Sequence, residues 1–311
     1  MRVFVTGATG YVGGAIAARL ASAGHDVTGL ARSDERARAL EAIGVRPHRG
    51  DLADAAALLV PLRNCDAVVH AAIPPGDRAA AERALLDVLR VAALDGRVRH
   101  VLYTSGVWVH GDTGGTIADE TTPLAAPDVV RWRPAHEHMA LDLAEHEVHA
   151  AVFRPGMVYG GRRGTFGAWF ADAARGGSFV YPGDGGQHWS AVHRDDVAEA
   201  YRLALEHGRR VTGLDRGAGG ERYLLVDDGR ATVREMAEAA ARATGARAAA
   251  SGRETIPGAD RETHAAMLMD QRFTSARVRR ALGWRPAHAS FVADAEALYR
   301  EWRDAEHAPI A

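Results

Sequence analysis

Two periodicities alternate along the chain. Short β-branched runs at 2–5, 27–31, 45–49, 67–71, 98–104 and 150–153 have the length and apolarity of buried strands. Between them the apolar positions fall at helical spacing, as at Ile16 and Leu20 within 15–23, a helix that Gly24 stops. Strands alternating with helices predict βαβ units, hence an α/β fold with a parallel sheet. After Arg154-Pro155-Gly156 the texture changes. Residues 158–187 are rich in glycine and aromatics (Tyr159, Phe166, Trp169, Phe170, Phe179, Tyr181), alternation resumes at 190–205, and a mixed tail starts near Thr212. The expected division is a nucleotide-binding domain over 1–157 with about 188–205, and a smaller substrate lobe from 158–187 and about 206–311.

The turn after the first strand reads Thr6-Gly7-Ala8-Thr9-Gly10-Tyr11-Val12-Gly13. Glycines 7, 10 and 13 stand where a strand hands over to a helix. The first permits a tight turn, the second lets backbone N–H groups approach a pyrophosphate, and the third lets helix pack on strand. The helix N-terminus adds unpaired N–H groups and partial positive charge. Gly7, Thr9, Gly10, Tyr11, Val12 and Gly13 are therefore the expected phosphate cradle of a Rossmann-type, doubly wound sheet. An NAD-selective fold places an acid at the end of the second strand, about 20 residues after the glycines, for the ribose 2′-hydroxyl. Here that strand ends Leu30-Ala31-Arg32-Ser33. A guanidinium fork matches a 2′-phosphate, so Arg32 with Ser33 points to NADP (NADPH). The alternative is that Arg32 is a solvated loop charge and Asp34 or Glu35 takes the acid's role.

Composition narrows the setting. The chain has 311 residues, 47% hydrophobic and 25% charged, which is the balance of a globular protein. A formal net charge of -2 gives no basic surface for nucleic acid or anionic membrane. No apolar stretch approaches the ~20 residues that a bilayer requires, and a strand predicted directly after Met1 leads us to expect no signal peptide. With one cysteine, Cys65, no internal disulfide can form, and a cytoplasmic setting is expected. All 38 basic residues are arginine. Any mechanism that needs an internal lysine is excluded.

These motifs resemble the short-chain dehydrogenase/reductase superfamily in its extended or atypical branch, the branch of nucleotide-sugar epimerases, dehydratases and related reductases. Gly50-Asp51-Leu52 is similar to the family segment that faces the adenine, which implicates Asp51 and Leu52. The run 66–72, Asp-Ala-Val-Val-His-Ala-Ala, looks like the strand passing beside the cofactor and implicates Ala71 and Ala72. Residues 154–160, Arg-Pro-Gly-Met-Val-Tyr-Gly, resemble the segment whose backbone holds the nicotinamide end, through Pro155. Val192-His193-Arg194-Asp195-Asp196-Val197-Ala198 and Leu282-Gly283-Trp284-Arg285-Pro286 match two further signatures.

The family's catalytic Ser/Thr, Tyr and Lys are not all in place. The resemblance puts Val129 at the tyrosine position, Arg133 at the lysine position and Gly106 at the hydroxyl position, with Ser105 one residue early. Valine transfers no proton and arginine stays charged. Pro134 predicts that the helix carrying His136–Ala144 starts or kinks there, since an interior proline costs ~3 kcal/mol. His136-Glu137-His138 lacks zinc-site spacing, and residues two apart face different sides of a helix, so both histidines are expected at the surface and no metal is expected. The expected catalytic set is His110, Tyr159, Arg133 and Ser105, with His110 or Tyr159 giving the proton.

The leading expectation is an NADP(H)-dependent oxidoreductase or epimerase-like enzyme. Its substrate would be a small, apolar or aromatic molecule enclosed by the aromatic lobe. The alternatives are a non-redox isomerase or cyclase that keeps the nucleotide as structure, and an NADP(H) sensor. A second copy of the chain is an admissible partner, as a homodimer.

Overall fold

The computed structural model describes residues 1–74, 76–95, 97–210 and 220–305, with the side chains of 208–210 left aside. Five strands lead: β1 (Arg2–Thr6), β2 (Asp26–Ala31), β3 (Arg46–Arg49), β4 (Ala67–His70) and β5 (His100–Thr104). With His149–Pro155 and Glu221–Leu225 they form one seven-stranded sheet. Its order is Glu221–Leu225, His149–Pro155, β5, β4, β1, β2, β3, and every pairing is parallel. The order reverses between β1 and β4, and a crevice opens at such a switch point in doubly wound sheets.

The central strands are apolar on both faces because helices cover both, whereas the edge strand β3 (Arg-Pro-His-Arg) buries no residue. Val3 and Val5 point to one side, with Ile16 and Leu20 of helix α1 (Tyr11–Ser22) and Tyr201 of helix Arg194–Arg210. Phe4 and Val68 point to the other, with Leu85, Leu86 and Leu89 of helix Arg78–Leu94. The continuous apolar run of each central strand is thus two buried faces interleaved at period two.

The smaller lobe contains helix Gly164–Gly176, strand Ser178–Tyr181 paired with Arg247–Ala250, and helices Val233–Thr244 and Phe291–Asp304. The sequence-based division is corrected within the tail, where Val278, Leu282 and Trp284 pack in the core of the sheet and not of the lobe. Glu221–Leu225 falls in the tail assigned to the lobe, yet it pairs with His149–Pro155 as the sheet's edge strand. The lobe boundary near 206–212 runs into residues outside those described. No helix among the described residues is long and apolar enough to cross a membrane.

Candidate active site

The β1–α1 turn is held by backbone contact. Gly7 has φ +72°, and a Cβ there would lie 2.4 Å from the Ala71 carbonyl oxygen and 2.7 Å from the Ala72 nitrogen. A Cβ on Gly13 would lie 2.3 Å from the Gly7 carbonyl oxygen, and the Gly10 N–H donates to that same oxygen at 2.8 Å. The turn therefore lies directly against the end of β4, in a space that any side chain would fill. Helix α1 starts from Gly10 with no side-chain cap and no acid in its first turn. Its leading N–H groups have no acceptor from a capping side chain, the condition for binding an anion. This cradle fits a dinucleotide pyrophosphate. The Tyr11 hydroxyl donates to the Gly160 carbonyl at 2.7 Å and ties the turn to the lobe. Asp51 accepts from the Ala53 N–H at 3.0 Å, fixing the turn at the end of β3, and Leu52 is buried in the core.

At the end of β2, Arg32 is exposed, and Ser33 caps helix α2 (Asp34–Ala42) by accepting from the Arg36 N–H at 3.3 Å. Arg36 reaches back to donate to the Thr9 carbonyl at 3.4 Å, and Arg163 donates to it from the lobe at 3.5 Å. Sequence reasoning missed both. Arg36 was findable, because it sits in the first turn of a helix that starts at a serine cap; Arg163 carried no local signal. Arg49 at the end of β3 lies 3.3 Å from Asp34. Asp34, one of the two acids that could take the ribose hydroxyl, thus faces a cation, while Arg32 has no ion pair among the described residues.

A cavity of about 380 Å³ opens at the switch point, beyond the ends of β1, β4, β5 and His149–Pro155. Val12, Ala71, Ala72 and Pro155, all expected near the cofactor, line it. So do Ser105, Arg133 and Val129. Ser105 continues β5, its N–H donating to the Phe153 carbonyl at 2.7 Å, and its buried Oγ has no hydrogen-bond partner. Arg133 is buried, donates through Nη1 to the Thr104 carbonyl at 2.9 Å, and lies 4.6 Å from the centre of the Trp132 ring. Its helix runs Arg133–Asp142 with Pro134 in the first turn, one residue earlier than a start at Pro134.

His110 and Tyr159 stand elsewhere. Arg154 is buried and doubly bonded to Glu137, and its Nη1 donates to His110 Nε2 at 2.9 Å. Burial and then the Arg154 charge push the His110 pKa down to about 4, so its ring is neutral near pH 7. Tyr159 is fully buried in the lobe, its hydroxyl donates to Asp227 Oδ2 at 3.0 Å, and burial pushes its pKa up. Neither residue lines the cavity. The expected proton donors are thus packed members of internal networks.

The lobe's aromatics are corrected in the same way. Phe166, Trp169, Phe170, Phe179 and Tyr181 pack on one another and on Trp189 and Phe291 as the lobe's own core. The rings on the cavity wall are Trp108 and Trp132, from outside that segment. His136 is buried, both ring nitrogens facing the carbonyls of Trp132 and Ala79, whereas His138 is exposed as expected. His193, Asp196 and His288 bring ligand atoms within 4.8 Å of one another. The two rings are stacked at 3.5 Å, however, and Asp196 accepts from the Ala287 and His288 N–H groups. This cluster is a joint that seats the 282–286 segment, whose Trp284 donates to the Asp196 carbonyl at 2.8 Å.

A model of the NAD dependent epimerase/dehydratase family matches residues 3–215. An uncharacterized protein of Saccharomyces cerevisiae is 30% identical over 312 residues, covering 96% of this chain and 99% of that one. The 4-hydroxy-2-methyl-3-oxo-4-farnesyl-3,4-dihydroquinoline-1-oxide ketoreductase of Stigmatella aurantiaca is 31% identical over 238 residues, covering 73% of this chain and 68% of its own. Among solved structures, the UDP-glucose-4-epimerase of Stenotrophomonas maltophila, with bound NAD and formylated UDP-arabinopyranose, superposes with a TM-score of 0.81. It is 21% identical and covers 99% of this chain and 100% of its own. That likeness is one of fold.

Proposed function

The chain belongs to the NAD dependent epimerase/dehydratase family, and on that premise we propose that it is an NADPH-dependent reductase of a small, apolar, ring-bearing molecule. The observation that carries this reading is the cavity wall. Beside the cofactor cradle it presents Val107, Trp108, Val129, Trp132 and Met157, with Ser105 and Arg133 as its buried polar groups. A site that reads a sugar needs several acceptors for hydroxyl groups, and this wall carries no carboxylate and no side-chain amide among the described residues. The ketoreductase of S. aurantiaca, by its name, acts on a farnesyl-bearing dihydroquinoline oxide. A ligand of that character suits this wall.

Arg32 and Arg36 support NADPH over NADH: both follow the end of β2, Asp34 between them faces Arg49, and a guanidinium suits a 2′-phosphate. When bound, NADPH supplies the hydride. The chain's own residues do the rest. The cradle at 7–13 fixes the phosphates. The Pro155 backbone is placed to hold the nicotinamide end. The free Ser105 hydroxyl orients a substrate oxygen, Arg133 offsets negative charge developing there, and the tryptophans exclude water.

Following NADPH oxidation at 340 nm across two panels tests the reading: apolar ring-bearing carbonyl compounds, and nucleotide-sugars. Turnover is expected in the first alone. Saturable binding and conversion of nucleotide-sugars, with none in the first panel, would overturn it.

A further inference from the structure

Among the described residues the cavity wall carries no side chain that titrates as an acid near neutral pH. It contains, among those residues, no Tyr, His, Lys, Cys, Asp or Glu. The hydroxyls present are those of Thr104, Ser105 and Thr263, and the charges are Arg78 and Arg133. Thr104 Oγ1 lies 2.6 Å from the hydroxyl of Tyr201, which is fully buried and does not itself line the cavity. The two polar groups that remain buried at the wall are Ser105, with its orphan Oγ, and Arg133, which donates to the Thr104 carbonyl. Both are donors. No carboxylate pairs with Arg133 among the described residues.

We propose that the enzyme reduces conjugated acceptors, enone- or quinone-like, at a ring carbon, and holds the resulting enolate or phenolate as an anion against Ser105 and Arg133. The inference rests on the reductase reading above and names its substrate class. Reduction of an isolated ketone leaves an alkoxide, whose basicity resembles that of hydroxide, the conjugate base of water with its pKa of about 15.7; such a charge needs a proton within the step. A conjugated acceptor escapes this need. The hydride and its electron pair add to the carbon β to the carbonyl, the C=C pair shifts toward the carbonyl carbon, and the charge settles on oxygen as an enolate; for a quinone this anion becomes the phenolate once the ring carbon gives one proton to water and the second oxygen takes one up. A phenol has a pKa of about 10, so its anion survives until the product meets water, which supplies the proton. Two electrons pass from NADPH to the acceptor, and the balancing proton comes from solvent. A cationic acceptor such as an iminium is disfavoured, because the charges on the cavity wall, Arg78 and Arg133, are both positive.

Binding of 4-nitrophenol to the protein loaded with NADP+ reads the anion site without turnover, since the phenolate absorbs near 400 nm. The expected result is a bound phenol that ionises about one pH unit lower than in water, a tenfold preference for the anion. The preference should disappear in Arg133→Gln and shrink in Ser105→Ala, with NADPH binding confirming that each variant folds. An unshifted or raised midpoint, or no binding of the phenol, overturns the inference. A rate comparison separates it from the reading beneath it. Isolated ketones reduced as fast as conjugated ones overturn this inference and leave the reductase standing, whereas no NADPH oxidation with either class removes both.

Discussion

Single residues divide here into those that meet a ligand and those that hold the protein around it. Arg32 is exposed and unpaired among the described residues, while Arg36 is committed to the Thr9 carbonyl, so the two should contribute unequally. A charge-assisted contact is worth about 1.5–3 kcal/mol, and Arg32→Ala is expected to weaken NADPH ten- to a hundredfold with NADH nearly unmoved. Arg36→Ala should cost less. Calorimetric titration of both cofactors checks this, and an equal loss for NADH would show that no 2′-phosphate is read there. His110 belongs to the second kind. Its native pKa is about 4, below the ordinary 6.5, so the stability tied to its neutral ring is complete above pH 6.5 and is lost as the pH falls toward 4. Gln can still accept from Arg154. His110→Gln should therefore leave turnover within a few-fold and remove about 2 kcal/mol of acid-side loss, read from denaturation midpoints between pH 6.5 and 4. A drop in turnover of about 10²-fold would return His110 to the reaction.

Among the elements, α1 matters most, because its N-terminus and its packing on β1 meet in one short turn. Two adjacent glycines test this. A Cβ at Gly13 would be forced to 2.3 Å from the Gly7 carbonyl, which is backbone and has nowhere to go. A Cβ at Gly14 would meet nothing closer than the Ala8 carbonyl at 3.3 Å. Gly13→Ala should destabilise by about 1–3 kcal/mol and weaken NADPH by tenfold or more, since α1 must move off the turn. Gly14→Ala should be near neutral or gain up to about 1 kcal/mol from helix propensity. Thermal melts with and without NADPH decide it; equal behaviour of the two variants would mean the cradle does not depend on this contact. The turn's glycine spacing was legible from sequence because each glycine answers a local steric demand. The aromatic run at 158–187 was misread, since ring content alone does not say whether rings face a ligand or each other. Trp169 stacks on Phe179 and Trp189 in the lobe core, and none of the three reaches the cavity.

At the scale of the whole molecule, sheet and lobe are joined through buried polar groups whose ionisation follows folding. Asp227, just after Glu221–Leu225, accepts from Tyr159 in the lobe and from the Gly229 N–H at 2.8 Å. Burial pushes its pKa up to about 7 from 3.8, so the native state holds a proton that the unfolded chain has given up. The stability this contributes is present below about pH 4 and is lost as the pH rises through 7. Asp227→Asn keeps an acceptor for Gly229 without the charge. Relative to the parent it should gain stability progressively from pH 4 to 7, by a few kcal/mol in all, and then hold constant. Urea midpoints across that range measure the difference, and a gap that does not change with pH would contradict the assignment.

The sequence by itself determined six of the sheet's seven strands, their parallel pairing and the glycine turn after β1, because each rests on period, glycine sterics and helix starts within a few neighbouring residues. It also fixed what the chemistry lacks, a lysine anywhere and a tyrosine at position 129. Tertiary structure alone decided which polar groups reach the cavity. Ser105 and Arg133 do so from neighbouring elements, while His110 is drawn to Arg154 and Tyr159 to Asp227 by partners 44 and 68 residues away. It likewise made Glu221–Leu225 the edge of the sheet and not part of the lobe, through pairing with a strand some 70 residues earlier. Local patterns record what a segment must bury, but a burial partner far along the chain leaves no trace in the segment, and here that partner chooses the site.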